Sequence, residues 1–99
     1  MTDRTDERAA VKAVLARLGA LAPGHSVEVR VPPYAAQQII EGPRHTRGTP
    51  SAVVELDAGT LLGLAAGDLT WEAAVAAGRV RASGERSDLR HLFPLAPLG

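Results

Sequence analysis

Alternating apolar and polar residues predict three strands in this chain. The clearest is residues 26–31, where three valines alternate with a glutamate and an arginine, as expected for a strand with one buried face. Residues 53–57 and 79–83 repeat this period of two. The predicted inward side chains are Val27, Val29, Val31, Val54, Leu56 and Val80, and the predicted solvent-facing ones are Glu28, Arg30, Glu55, Arg79 and Arg81.

Apolar residues at offsets of three and four predict a helix that begins at Arg8. The helix is expected to end at Pro23-Gly24, because these residues stop a helical pattern. Residues 1–7 contain no apolar residue beyond Met1, so we expect a mobile N-terminus there. Residues 8–99 then form a single domain, which is what the length favours.

Two shorter helices are predicted between the strands at residues 53–57 and 79–83. Asp57 suits the N-cap of the first, since its carboxylate can accept free backbone amide hydrogens, and Gly67 suits its C-terminal end. Thr70 suits the N-cap of the second, which ends at Gly78. Leucines and a phenylalanine at residues 89–93 predict one or two further helical turns.

Composition excludes several classes of function. Eleven acidic and eleven basic residues give no net charge, so the basic surface of a nucleic-acid-binding protein is lacking. No apolar run approaches the roughly 20 residues of a membrane span, and stable membrane insertion is not expected. The sequence has no cysteine, which removes disulfides and thiolate catalysis. These features predict a cytoplasmic protein.

The sequence carries no recognisable catalytic constellation, so no enzyme, metal or cofactor is predicted. Ser83 and Ser87 lack the G-x-S-x-G pattern that exposes a nucleophile. His25, His45 and His91 lie far apart and follow different predicted elements, which disfavours a histidine metal site.

The loop at residues 41–50 is a candidate anion site. It concentrates Arg44, His45 and Arg47 between glycine and proline residues, and guanidinium groups can bind a carboxylate or phosphate through paired hydrogen bonds. The alternative is a solvated connection whose charges keep the edge of the sheet from pairing with another chain.

Residues 53–85 resemble the sterol carrier protein type 2 family, and more closely its actinobacterial branch, the bacterial sterol-carrier-protein orthologue domain. The shared pattern is an acidic apolar strand, a leucine-rich helix, a second helix, and a basic strand that leads to Gly84-Glu85. The resemblance implies an α+β fold, with helices on one face of a mixed or antiparallel sheet of about four to five strands. It also favours a strand from about Ala36, where the residues alone are ambiguous between helix and strand. Val75 stands where the family often has a phenylalanine, and Trp71 lies one turn earlier.

The resemblance implies noncatalytic binding or transfer of a lipid or other apolar small molecule between the helices and the sheet. The residues expected to line that pocket are Tyr34, Ile40, Leu61, Leu62, Leu64, Trp71 and Val75. The alternative is an accessory domain that binds a protein partner or a second copy, related to the C-terminal domain of mycothiol-dependent maleylpyruvate isomerase-type proteins. An enzyme that uses the loop at residues 41–50 is a third alternative. A filled core would favour the accessory domain, and an open lined cavity would favour the carrier.

Overall fold

The structure is a computed structural model, and it describes residues 4–42, 52–84 and 86–96. Within these ranges the helices and strands follow one another as helix–strand–strand–strand–helix–helix–strand, and a short 3-10 turn comes last. Their bounds are α1 Arg4–Leu21, β1 Val27–Val31, β2 Ala35–Ile39, β3 Ala52–Leu56, α2 Ala58–Ala66, α3 Trp71–Ala76, β4 Val80–Gly84 and the 3-10 turn Arg90–Leu92.

The four strands form one mixed sheet in the order β2-β1-β3-β4. β1 is antiparallel to β2 and parallel to β3, and β3 is antiparallel to β4. The helices cover one face of this sheet, which confirms the predicted α+β class. The strand predicted from about Ala36 is also confirmed, because β2 begins at Ala35.

The predicted register of the sheet is confirmed. All six side chains predicted to point inward are buried, whereas Arg30, Arg79 and Arg81 are exposed and Glu28 and Glu55 are half-buried. On the outer face Arg30 lies beside Glu55, which in turn lies beside Arg81. Arg30 also forms an ion pair with Glu28. Opposite charges therefore alternate across three neighbouring strands.

Both short helices begin at the predicted N-caps, and α2 ends at the predicted Gly67. α3 ends at Ala76 with Ala77 as its C-cap, one residue before the predicted Gly78. The Asp57 carboxylate accepts the backbone N–H of Thr60 at 2.7 Å, and the Thr70 hydroxyl accepts that of Ala73 at 3.1 Å. Gly67 ends α2 with φ of 86°, in the left-handed region, where a glycine avoids the steric cost of a Cβ atom.

The first helix begins earlier than the apolar pattern indicates. Residues 4–7 fall in the predicted mobile N-terminus, yet α1 begins at Arg4 rather than Arg8. Asp6 and Glu7 lie in its first turn, where carboxylates stabilise the free amide end of a helix. Glu7 also accepts a hydrogen bond from the Tyr34 hydroxyl at 3.2 Å. The residues of this additional turn make polar contacts, and polar residues give no apolar periodicity from which the turn could be predicted.

The core lies between the inner face of the sheet and the helices. Val11, Leu15 and Leu18 of α1 and Leu61 and Leu64 of α2 are almost fully buried there. α1 packs against both α2 and β2. On β4, which is an edge strand of the sheet, Val80 is buried but Ala82, two residues later on the same face, is exposed.

Candidate functional site

An open groove lies beside the indole of Trp71, between the end of α2, the start of α3 and the segment that follows the 3-10 turn. Its volume is about 310 Å³, at the low end of the roughly 300–1,000 Å³ of ligand sites. We call it the Trp71 groove, and its lining residues are Gly67, Leu69, Thr70, Trp71, Glu72, Arg90, Phe93 and Pro94.

An aromatic pair forms the apolar part of this groove. The rings of Trp71 and Phe93 lie 6.3 Å apart between centroids with 10° between their planes. Trp71 is only 5% exposed, whereas Phe93 is half-buried. Aromatic rings at this separation attract each other. The pair thus joins the first residue of α3 to a segment 22 positions later in the chain.

Buried contacts on both sides of Phe93 hold its segment in place. Leu89 and Leu95 are buried in the core, and the backbone N–H of Leu95 donates to the carbonyl of Ala65 at 2.9 Å. A Cβ atom on Gly67 would lie 3.4 Å from Pro94. That distance is an ordinary van der Waals contact, so Pro94 packs directly beside the end of α2 and closes one side of the groove.

An ion-pair network occupies the rim of the groove. Arg90 contacts Asp88 at 2.9 Å and Glu72 at 3.4 Å. Its hydrogen bond to Asp88 raises the pKa of Arg90 and lowers the pKa of Asp88. The three side chains are 54–61% exposed, so water and salt weaken these interactions.

Comparison with known families identifies the chain. A family model described as "Bacterial SCP ortholog", where SCP denotes sterol carrier protein, matches residues 3–95. The chain belongs to this SCP family. The resemblance seen in the sequence is therefore confirmed.

The fold of this SCP-family chain is also found in a solved structure. The crystal structure of sterol carrier protein 2 like 2 from Aedes aegypti matches 90% of this chain and 94% of that chain, with a TM-score of 0.50. The sequence identity is 17%, so the likeness shows a shared fold. A comparison with curated proteins finds no match.

Five of the seven residues expected to line a pocket belong to the core of this SCP-family chain or pack against it: Leu61, Leu64 and Trp71 are buried in the core, and Tyr34 and Ile40 pack against it. Of the seven, only Trp71 lines the Trp71 groove. Leu61 and Leu64 have no exposed surface, Leu62 is half-buried, and Val75 on α3 is 46% exposed.

The other two expected pocket residues lie near the ends of β2. Tyr34 lines a separate open groove of about 370 Å³ beside Pro32 and Pro33. Ile40 follows β2 with φ of 67°, and its backbone carbonyl accepts a hydrogen bond from the Ser26 hydroxyl at 2.6 Å. The candidate anion residues Arg44, His45 and Arg47 lie outside the described residues.

Sequence reasoning missed most of the Trp71 groove. Phe93 is predicted only to lie in the helical turns at residues 89–93, and nothing in the local pattern connects Arg90, Phe93 or Pro94 to α3. The one available signal is that Phe93 and Trp71 are two of only three aromatic residues in the chain. With so few large rings, a contact between them is a reasonable hypothesis for any compact core.

The described ranges contain neither a cluster of metal ligands nor a membrane-spanning helix. No group of three or more His, Cys, Asp or Glu side chains there could hold a metal ion. No helix in the same residues is long and apolar enough to cross a membrane.

Proposed function

We propose that this SCP-family domain binds and transfers an apolar small molecule or lipid, without catalysing a reaction on it. The observation that carries the proposal is the Trp71 groove, which presents Leu69, Trp71, Phe93 and Pro94 at an opening to solvent. An apolar ligand gains about 25 cal/mol for each Å² that it removes from water. Family membership supports the same class of ligand, and the cysteine-free sequence is consistent with a cytoplasmic carrier.

The groove, rather than the helix–sheet interface, is the proposed position of the ligand. Leu61, Leu64 and Val54 have no surface accessible to solvent, so no cavity large enough for water borders these side chains. A ligand between α2 and the sheet would have to displace packed core side chains. A ligand in the Trp71 groove needs no such rearrangement.

The filled core also favours the second candidate function, an accessory or protein-interaction domain. Among the residues that the structure describes, two large apolar side chains lie on the surface, Leu21 at 60% exposure and Val75 at 46%. Exposed apolar residues suit a protein interface, although single ones are common on any surface. The partner would be another protein or a second copy of this chain.

Fluorescence titration with dodecanol, an uncharged single-chain probe, tests the carrier proposal. Binding beside Trp71 should change its emission saturably, because the indole lines the groove. Leu69→Gln should weaken binding several-fold, since it places an amide against the hydrocarbon. Val75→Gln is the matched control on an exposed residue that does not line the groove, and it should leave binding unchanged.

A flat titration of a protein shown to be folded by circular dichroism would reject the carrier proposal. The accessory candidate would then be tested by sedimentation at increasing protein concentration. It predicts self-association that Leu21→Ser and Val75→Ser weaken, or a copurifying partner of defined mass that the same substitutions release.

A further inference from the structure

The ion-pair network at the rim of the Trp71 groove, which includes the adjacent Asp88, carries an excess of negative charge. Among the described residues that line the groove, Glu72 and Arg90 are charged. Arg90 is shared between Glu72 and the adjacent Asp88. Two carboxylates and one guanidinium give this network a net charge of −1. His91, next to Arg90 in sequence, is exposed, and its charge is the smallest of the causes that lower the pKa of Asp88.

Arg90 is poorly placed to receive an acidic ligand. Its Nε lies 2.9 Å and 3.1 Å from the two carboxylate oxygens of Asp88, and its Nη1 lies 3.4 Å from Glu72. An incoming carboxylate or phosphate would compete with both partners for these donors. It would also approach two like charges, which repel it at short range.

A cationic group is more favourably placed than an acidic one at the same rim. It is attracted by the two carboxylates of Glu72 and Asp88 and repelled by the one guanidinium of Arg90. The net charge of −1 makes attraction the larger effect, and a cation without N–H donors does not compete for the hydrogen bonds of Arg90. The hydrocarbon part of the same ligand would lie against Leu69, Phe93 and Pro94.

Resting on the carrier function proposed above, we propose that the Trp71 groove selects amphiphiles with a cationic head, such as an alkylammonium, over acidic ones. The groove supplies the affinity for the chain, and the network of Glu72, Asp88 and Arg90 supplies the selection by charge. Because all three side chains are more than half exposed, the selection is modest and depends on salt.

A chain-matched series measures the effect of the head group alone. Dodecyltrimethylammonium, dodecanol and dodecanoate are titrated below their micelle concentrations, with Trp71 emission as the readout. At low ionic strength the cation should bind about threefold to fivefold more tightly than the alcohol, and the carboxylate more weakly than the alcohol. High salt should bring the charged probes towards the value for dodecanol.

Two charge-removing variants should move this selectivity in opposite directions. Glu72→Gln should reduce the preference for the cation, whereas Arg90→Gln should increase it by leaving both carboxylates unpaired. Glu28→Gln and Arg30→Gln make the same changes in the ion pair on the outer face of the sheet and should alter nothing. A merely structural role of the network would not produce effects of opposite sign.

Two outcomes separate this inference from the carrier proposal. Equal binding of the three probes, or tightest binding of dodecanoate, would overturn the charge selection while the groove remains a lipid site. Failure of all three probes to bind a folded protein would remove the carrier function and the selection with it.

Discussion

The phenyl ring of Phe93 lies nearly parallel to the indole of Trp71, 6.3 Å away between ring centroids. This contact joins the start of α3 to the segment after the 3-10 turn, and both rings line the Trp71 groove. The same pair therefore links two parts of the fold and shapes the candidate site. Its energy can be measured separately from the burial of either ring.

Phe93→Ala should lower the free energy of unfolding by about 2 kcal/mol, roughly half the value for a fully buried phenylalanine. A double-mutant cycle with Trp71→Leu should give a coupling energy of about 0.5–1.5 kcal/mol, which is the usual range for aromatic pairs. Urea unfolding of the four proteins, followed by circular dichroism, provides both values. A coupling energy near zero would show that the rings share a groove without stabilising each other.

Two glycines of the α2 region should respond to alanine with opposite signs. Gly67→Ala should cost about 1–2 kcal/mol of stability, because φ of 86° is unfavourable for a residue with a Cβ atom. Gly59→Ala should stabilise the protein by about 0.5 kcal/mol, since Gly59 is helical and its added Cβ would meet only Asp57 Oδ1 at 3.6 Å. Thermal unfolding measures both, and a stabilising Gly67→Ala would contradict the left-handed cap.

Asp57 should make stability depend on pH through its cap. The backbone N–H of Thr60 is the main cause that lowers the pKa of Asp57, and the charge of Arg79 adds to it. A carboxyl whose pKa is lower in the folded state binds protons more readily when unfolded. Its contribution is therefore full above the ordinary pKa of about 3.9 and falls as the pH drops through the lower folded value.

Variants at Asp57 separate the cap from its charge. Asp57→Asn keeps a capping oxygen and should remove this part of the acid sensitivity, while Asp57→Ala should cost about 0.5–2 kcal/mol at neutral pH. Urea unfolding between pH 2 and pH 7 measures these effects. An unchanged acid profile in Asp57→Asn would assign the sensitivity to other carboxylates.

Most of the fold could be predicted because each signal is local. Alternation sets the faces of β1, β3 and β4, and the caps at Asp57, Gly67 and Thr70 need only neighbouring residues. The start of α1 escaped prediction because its first turn is polar and makes a side-chain contact with Tyr34 of a distant element. Local periodicity cannot register a contact of that kind.

The candidate site was harder to predict than the fold. From the sequence, the leucines of α2 could equally be predicted to lie in the core or to line a pocket, since both require apolar side chains on one helical face. The structure packs Leu61 and Leu64 completely. The groove instead forms because the chain around Phe93 and Pro94 packs against α2 and α3. Packing between segments so far apart in sequence cannot be predicted from local patterns.

The last prediction tests whether the helix–sheet interface is core or ligand pocket. Leu64 has no exposed surface, so Leu64→Ala should leave a cavity and cost about 2–5 kcal/mol. Such apolar cavities stay dry and bind small hydrocarbons. Benzene should therefore raise the melting temperature of Leu64→Ala more than that of the unaltered protein.

Leu62→Ala serves as the matched control, because Leu62 is half-buried on the same helix and its truncation leaves less enclosed space. It should cost less stability and gain little from benzene. If benzene instead stabilises the unaltered protein as strongly as Leu64→Ala, a cavity already exists beneath α2. The ligand would then be expected to bind between the helices and the sheet, and the proposal that it binds in the Trp71 groove would be wrong.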